Sequence, residues 1–176
     1  MRITENLEKI RYLILDVDGT MTDGGVYLDD HGREMKKFSI KDGAAVLLAR
    51  QAGIETVILT GRKSGAVARR AAELGITEVF QDVKHKRTFL TAYFEKKGIR
   101  PEEAAYIGDD LNDLEAMKCA GLPACPQDAA RQVKAVCACV LTSCGGQGAV
   151  REFVEMILEK RGILDQCAEE LWGCSE

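Results

Sequence analysis

Two carboxylates one residue apart, Asp16 and Asp18, follow directly on a short apolar run at residues 12–15. Such a run is typical of a buried parallel strand, and in open α/β sheets ligands bind at the carboxyl ends of the strands. Burying two carboxylates is costly unless a cation or hydrogen-bond donors compensate. Taken alone, the stretch also fits a polar turn in which Asp18-Gly19 supplies the turn chemistry.

Polar side chains follow three later apolar runs in the same way. Thr60-Gly61-Arg62 comes after the second run, Lys86 lies beyond a polar loop after the third, and Gly108-Asp109-Asp110 comes after the fourth, with Asn112 and Asp113 in the next turn. Because the carboxyl ends of parallel strands share one edge of a sheet, we expect these clusters to gather around one site.

This mixture of groups suits a phosphoryl group held by a hard divalent cation. Mg²⁺ prefers oxygen ligands, usually one or two carboxylates together with substrate phosphate and water. A further carboxylate can act as a nucleophile and form an aspartyl-phosphate that water then hydrolyses. Thr60, the Gly61 amide and Lys86 would bind the phosphoryl oxygens as charge shifts in the transition state.

Alternating strand and helix patterns position these clusters. Strands separated by helices of about 10–15 residues predict βαβ units, hence an α/β, Rossmann-like fold with a mainly parallel sheet covered by helices on both faces. One β-hairpin insertion follows the first strand, and there is no room for a cap domain. We expect a single phosphatase domain over residues 1–164 and a C-terminal tail over 165–176. Asp42 and Ser64 are the expected N-caps of helices over 44–51 and 67–74, and a further helix is expected over 111–119.

Composition narrows the class of protein. The chain has 176 residues, of which 30% are charged, and its net charge of −4 gives no sign of nucleic-acid binding. No apolar run is long enough to span a bilayer, and the N-terminus lacks the apolar core of a signal peptide, so we expect a cytoplasmic protein. The seven cysteines match no usual zinc spacing and are expected to be reduced, mostly buried thiols.

The four clusters together resemble the motifs of the haloacid dehalogenase superfamily in order and spacing. The resemblance implies that Asp16 is the nucleophile and also a magnesium ligand. It makes Asp18 the general acid/base, with its backbone carbonyl on the metal, and Asp109 the remaining carboxylate ligand. Asp110 and Asp113 would lie behind these ligands or bind through water. Thr60, Gly61 and Lys86 would hold the phosphate, with Lys84 as a competitor for the lysine role.

Within the superfamily, the hairpin and the segments 38–43, 60–64 and 145–152 resemble the 3-deoxy-D-manno-octulosonate 8-phosphate phosphatases, which are capless. The resemblance implies a homotetramer built through the hairpins, a role in lipopolysaccharide biosynthesis, and closure of the site by a neighbouring subunit and the segment 145–148. Arg62, Lys41 and Arg151 would contact the sugar acid, although Lys41 stands where arginine is common and lacks its bidentate fork.

Other interpretations stay open from sequence alone. The substrate could be a related nine-carbon keto-deoxy sugar acid phosphate. The chain could also be a non-catalytic assembly partner of a sugar-nucleotide enzyme, whose expected mark is loss of the nucleophile, the acid/base or the lysine. Asp42 and Asp82 are best explained as surface carboxylates or caps, and Asp110 and Asp113 as caps in part.

Overall fold

The computed structural model describes residues 7–173, and its centre is a six-stranded sheet in which every pair of neighbouring strands is parallel. The spatial order is β5-β4-β1-β6-β7-β8. The strands are β1 (Tyr12–Leu15), β4 (Glu55–Leu59), β5 (Glu78–Phe80), β6 (Ala104–Ile107), β7 (Leu122–Cys125) and β8 (Cys139–Val140). The first apolar run therefore lies at the middle of the sheet, as its composition predicts.

Helices cover both faces of this sheet. They are α1 (Ile40–Gln51), α2 (Gly65–Glu73), α3 (Lys86–Lys97), α4 (Leu114–Met117), α5 (Arg131–Lys134), α6 (Ala149–Lys160) and α7 (Leu164–Trp172). Buried side chains of α1, α2, α6 and α7 join one core, and those of α3, α4 and α5 join the other. Leu13 and Leu15 of β1 point into the first core and Ile14 into the second, because side chains alternate along a strand. The predicted α/β architecture is confirmed.

The predicted insertion is present as a hairpin of two short antiparallel strands, β2 (Tyr27–Leu28) and β3 (Glu34–Met35). A single bridge between Thr22 and Phe38 closes its base. Between the described strands there is no other inserted unit, so the fold is capless over residues 7–173.

Two helix starts differ from the sequence expectation. The first helix begins at Ile40, and Ser39, whose side chain accepts from the Asp42 amide, is its N-cap. Asp42 is thus inside the helix, because Ser39 offers the same capping chemistry three residues earlier. The helix expected over 111–119 is only α4, since the chain leaves the sheet through turns at residues 111–113. Ser64 caps α2 as predicted, through the Ala66 amide.

The predicted tail, 165–176, overlaps α7, which packs beside α1 and buries Cys167 in the first core. Residues 174–176 lie outside the described range. The six cysteines within that range are free thiols. No helix among residues 7–173 is long and apolar enough to cross a membrane.

Candidate active site

A cavity of about 430 Å³ opens at the carboxyl ends of β1, β4 and β6. The parallel register brings this about, because Leu15 pairs with Ile58 on one side and Ile107 on the other, so the residues that follow each strand meet. The lining residues are Asp16, Asp18, Gly24, Thr60, Gly61, Arg62, Val83, Lys84, Asp109, Asp110 and Asn112. The polar clusters of three strands are therefore in one place, as the sequence predicts.

Lys86 does not line this cavity but contacts Asp16, which does. It is the first residue of α3, and its side chain is only 1% exposed. Its Nζ lies 2.6 Å from Oδ1 of Asp16 and 2.7 Å from Oδ1 of Asp113. The competing Lys84 is exposed and binds the Gly61 carbonyl and Asp82 instead. Of the two lysines, the structure places Lys86 on the predicted nucleophile.

Asp109 and Asp113 have different surroundings. Asp16, Asp109 and Asp113 each offer a carboxylate oxygen within 4.8 Å of the others. Both oxygens of Asp113 are already engaged, since Oδ1 accepts from Lys86 and Tyr106 and Oδ2 from the amides of Asp109 and Asp110. Asp113 therefore fixes Lys86 and the loop behind the site, and its carboxylate does not cap α4. Asp110 is exposed at the cavity.

The carboxylates carry more negative charge than the described residues balance. Burial, together with the negative charge of Asp113, raises the pKa of Asp16 from 3.8 to about 7 despite the opposing effect of Lys86. Burial and the charges of Asp16 and Asp113 raise the pKa of Asp109 from 3.8 to about 8. A divalent cation would offset both the repulsion and the desolvation. The donor set is hard oxygen, and it fits Mg²⁺.

Thr60 and Gly61 occupy the turn after β4. The Thr60 side chain is buried, its amide donates to the Phe80 carbonyl, and its hydroxyl accepts weakly, at 3.4 Å, from the Arg62 amide. Gly61 lines the cavity directly. Both therefore stand where the sequence places them, beside the Asp16 carboxylate.

Asp18 has a partner that the sequence did not reveal. Lys36, which follows β3 in the hairpin, forms an ion pair with Oδ1 of Asp18 and binds Glu34 at 3.1 Å. Arg62 binds the same Glu34 oxygen at 2.7 Å, so the predicted substrate contact is already paired in the free chain. The one available signal was the group of charged residues after the hairpin turn, which an exposed strand explains equally well.

Lys41 and Arg151 do not reach the Asp16 cavity within this chain. They line a second cleft of about 410 Å³ beside the start of α6. The side chain of Arg151 binds Glu155 at 2.5 Å. One chain alone thus does not bring these two predicted substrate contacts together with the nucleophile.

Asp42 has a structural role that its local sequence does not show. It is buried and accepts from the amides of Gly148 and Arg151, so it caps the start of α6 rather than its own helix. Of the two expectations for Asp42, a surface carboxylate or a helix cap, the structure supports a cap, although of α6 and not of its own helix. Asp82, by contrast, is exposed and pairs with Lys84, as expected of a surface acid.

The glycine-rich segment 145–148 packs against the loop after β1. A Cβ on Gly145 would lie 1.8 Å from the Gly19 carbonyl oxygen, and the Gly146 amide donates to the Thr20 carbonyl. This close approach needs glycine. The segment supports the loop after β1 of its own chain, which the sequence alone did not indicate.

Comparisons with known proteins agree with this geometry. Residues 27–121 match the family model of the haloacid dehalogenase-like hydrolases. The 3-deoxy-D-manno-octulosonate 8-phosphate phosphatase KdsC of Escherichia coli (strain K12) is 41% identical over 159 residues, which are 90% of this chain and 85% of that protein. KdsC of Haemophilus influenzae is 38% identical over 90% of this chain and 88% of its own length.

Solved structures of 3-deoxy-D-manno-octulosonate 8-phosphate phosphatases are also similar to this chain. The phosphatase of the same name from Moraxella catarrhalis, in complex with magnesium, phosphate and KDO, superposes with a TM-score of 0.92 at 38% identity, covering 97% of this chain and 98% of that one. The Yersinia pestis enzyme superposes with a TM-score of 0.89 at 35% identity, over 93% and 88% of the two chains.

Proposed function

Because the chain belongs to the haloacid dehalogenase-like hydrolases and, within them, to the family of the 3-deoxy-D-manno-octulosonate 8-phosphate phosphatases, we propose that it hydrolyses that phosphomonoester to the free sugar acid and phosphate. The observation that carries the proposal is the contact between Asp16 and Lys86 at the cavity formed by the strand ends. A nucleophile, a cation and a hydroxyl are all within reach of one phosphoryl group there.

Asp16 is the proposed nucleophile. Its carboxylate attacks the phosphorus atom and the bond to the sugar oxygen breaks, which leaves an aspartyl-phosphate. Lys86 holds Asp16 in place and places a positive charge beside the phosphoryl oxygens, and Thr60 and the Gly61 amide bind the remaining ones.

Asp18 is the proposed general acid/base. Its protonated carboxyl group gives a proton to the leaving sugar oxygen, and the carboxylate that results later takes a proton from the water that attacks the aspartyl-phosphate. This second step releases phosphate and regenerates Asp16. Asp18 lines the same cavity as Asp16, two residues further along the chain, which supports this role.

Asp16, Asp109 and the backbone carbonyl of Asp18 would hold Mg²⁺, with Asp110 and Asp113 behind them. When bound, the ion supplies positive charge that offsets the repulsion between these carboxylates and an incoming phosphate. The Moraxella catarrhalis relative carries magnesium, and a Haemophilus influenzae relative is known in a cobalt-bound form.

Arg62, Lys41 and Arg151 are the proposed contacts to the sugar acid, the last two from a neighbouring subunit of a homotetramer. The apolar side chains exposed on and beside the hairpin support such an assembly, since a monomer rarely exposes a patch of this kind. They are Val26, Tyr27, Leu28, Met35 and Ile40. The cytoplasmic location stays a prediction.

The substrate assignment is tested by steady-state kinetics over a panel of phosphorylated sugar acids. We expect the eight-carbon octulosonate 8-phosphate to give the highest kcat/KM, EDTA to abolish turnover and added Mg²⁺ to restore it. A higher kcat/KM for a nine-carbon ester would assign the chain to the alternative substrate. No turnover of any ester with Mg²⁺ would favour the non-catalytic interpretation.

The thermal stability of the metal-free protein is expected to fall as pH rises from 3.8, the ordinary pKa of an aspartate, to about 8. The pKa values of Asp16 and Asp109 are raised in the folded state, to about 7 and about 8, so the folded protein binds protons more tightly than the unfolded chain in this range. Deprotonation then costs folding free energy. The increase in Tm on adding Mg²⁺ should be larger at the upper pH, because protons no longer compete with the ion.

Asp109→Asn provides the matched variant for this measurement. The amide keeps the shape and the contact with Thr20 but removes one buried charge. We expect its metal-free Tm to exceed that of wild type at the upper pH and its response to Mg²⁺ to be lost. Asp30→Asn, which removes an exposed carboxylate in the hairpin turn, should behave as wild type. An undiminished Mg²⁺ response in Asp109→Asn would remove Asp109 from the metal site.

A further inference from the structure

Four charged side chains link the hairpin to the proposed acid/base. Lys36 contacts both Asp18 and Glu34, and Arg62 contacts Glu34 at 2.7 Å and approaches Oδ2 of Asp18 at 3.9 Å. We call Asp18, Glu34, Lys36 and Arg62 the charged ring. It joins the loop after β1, the hairpin and the turn after β4, which are otherwise separate in the chain.

Lys36 is unusual among the lysines of the hairpin because its side chain is 1% exposed. The adjacent Lys37 is 64% exposed and lies 3.5 Å from Asp23. Removing an ammonium group from water is unfavourable unless charged partners compensate for the lost hydration. Asp18 and Glu34 supply the negative charges that stabilise the buried ammonium group. Since Glu34 belongs to β3, the ion pair with Asp18 is the contact that connects Lys36 to the cavity.

We propose that Lys36 is a positioning residue for Asp18, so that the hairpin fixes the orientation of the group that exchanges the proton. This rests on the function proposed above. Lys36 holds Oδ1 of the Asp18 carboxylate. Arg62 only approaches Oδ2, at 3.9 Å, so that oxygen can still meet the leaving group and the attacking water. Arg62 fixes Glu34, which in turn fixes Lys36, so the ring constrains the hairpin as well as the acid/base.

The geometry separates this role from that of Lys86. Lys86 contacts Asp16 and Asp113 and borders the phosphoryl position, whereas Lys36 contacts Asp18 and Glu34. Loss of Lys36 should therefore impair proton transfer and leave attack by Asp16 intact. Formation of the aspartyl-phosphate and its hydrolysis depend on Asp18 to different degrees. The proposal can therefore be tested by measuring the rates of these two steps separately.

The test compares Lys36→Met, Lys36→Arg and the matched control Lys37→Met with the Mg²⁺-loaded wild-type enzyme. With the sugar acid phosphate we expect kcat of Lys36→Met to fall about 10- to 100-fold, the range typical of groups that orient a ligand or catalytic side chain, with KM changed less than about threefold. Lys36→Arg keeps the charge and should recover part of kcat. Lys37→Met should match wild type.

A second substrate separates positioning from general damage to the fold. With p-nitrophenyl phosphate the Asp16 oxygen bonds to phosphorus and p-nitrophenolate leaves without needing a proton, whereas water attack on the aspartyl-phosphate still gives its proton to Asp18. In Lys36→Met, release of p-nitrophenolate in the first turnover should stay close to the wild-type rate while steady-state turnover slows. The ratio of the two rates therefore rises.

Two results would overturn the proposal. One is equal kcat for Lys36→Met and Lys37→Met on the sugar acid phosphate. The other is an equal loss in first-turnover release and steady-state rate, together with a lower Tm, which marks a structural role. If wild type itself hydrolyses none of the esters, the proposed function fails first, and that outcome is distinct from both.

Discussion

Replacing Asp16 by asparagine is expected to lower kcat by about three orders of magnitude or more while the protein folds normally. The amide cannot attack phosphorus, so the aspartyl-phosphate does not form. The shape of the side chain is kept, and its oxygen still accepts from Lys86. Because the pKa of Asp16 is raised by burial and by Asp113, the neutral side chain suits its surroundings better than the carboxylate. The Tm of the metal-free variant should therefore equal or exceed that of wild type near pH 8.

The measurement pairs kcat on the sugar acid phosphate with thermal unfolding of the same samples. Asp30→Asn serves again as the control, since it removes an exposed aspartate far from the cavity. Retained turnover in Asp16→Asn would refute the nucleophile assignment. A large fall in Tm would show instead that the Asp16 charge stabilises the fold, against the direction that its raised pKa indicates.

The sequence predicts the central residues of the site because each of them follows a strand, and the strand ends are neighbours in the sheet. The carboxyl ends of parallel strands lie at one edge of the sheet, so this part of the prediction does not depend on how the side chains pack. Asp16 and Thr60 stand directly after a buried apolar run and Asp109 stands one residue further on, and the observed register places all three at one cavity. The position of Lys86 can be predicted in the same way, with one further assumption. The assumption is that the helix after β5 begins near the same edge of the sheet.

Two contacts that the sequence did not predict join separate elements of the fold. Asp42 accepts from Gly148 and Arg151, more than a hundred residues away, and Lys36 reaches Asp18 across the base of the hairpin. Locally, Asp42 resembles an N-cap and Lys36 resembles an exposed strand residue. Which distant group each one meets depends on how the hairpin and α6 pack against the sheet, and residue spacing does not encode that.

The Gly145 contact illustrates the same limit. A glycine cluster predicts a flexible or tightly turning loop, but not which backbone it approaches. Here the approach is to the Gly19 carbonyl, so the segment supports the nucleophile loop from behind. The expected contribution to closure of a neighbouring site is compatible with this contact and stays a prediction.

Replacing Lys86 by methionine is expected to lower kcat as severely as the loss of Asp16 but to change stability in the opposite direction. Its amine is buried between Asp16 and Asp113, and the charge of both carboxylates raises its pKa although burial alone would lower it. Methionine keeps the apolar length and removes the charge. Two buried carboxylates then face each other without a cation, which typically costs about 3–5 kcal/mol of unfolding free energy. Urea denaturation near pH 8 without metal would measure this loss.

Lys84→Met distinguishes this effect from a general loss of positive charge at the cavity. Lys84 is exposed and bound to the Gly61 carbonyl and Asp82, so its removal should cost little stability and far less activity than removal of Lys86. Equal losses in the two variants would mean that Lys84 shares the phosphate-binding role.

The double variant Asp16→Asn/Lys86→Met tests whether the two groups act as one unit. Asp16→Asn removes one of the charges that Lys86→Met leaves unpaired, so the double variant should be more stable than Lys86→Met alone. Its kcat should be no lower than that of either single variant, because the loss of nucleophilic attack already limits the rate. Additive losses in both quantities would contradict a direct interaction between the nucleophile and this lysine.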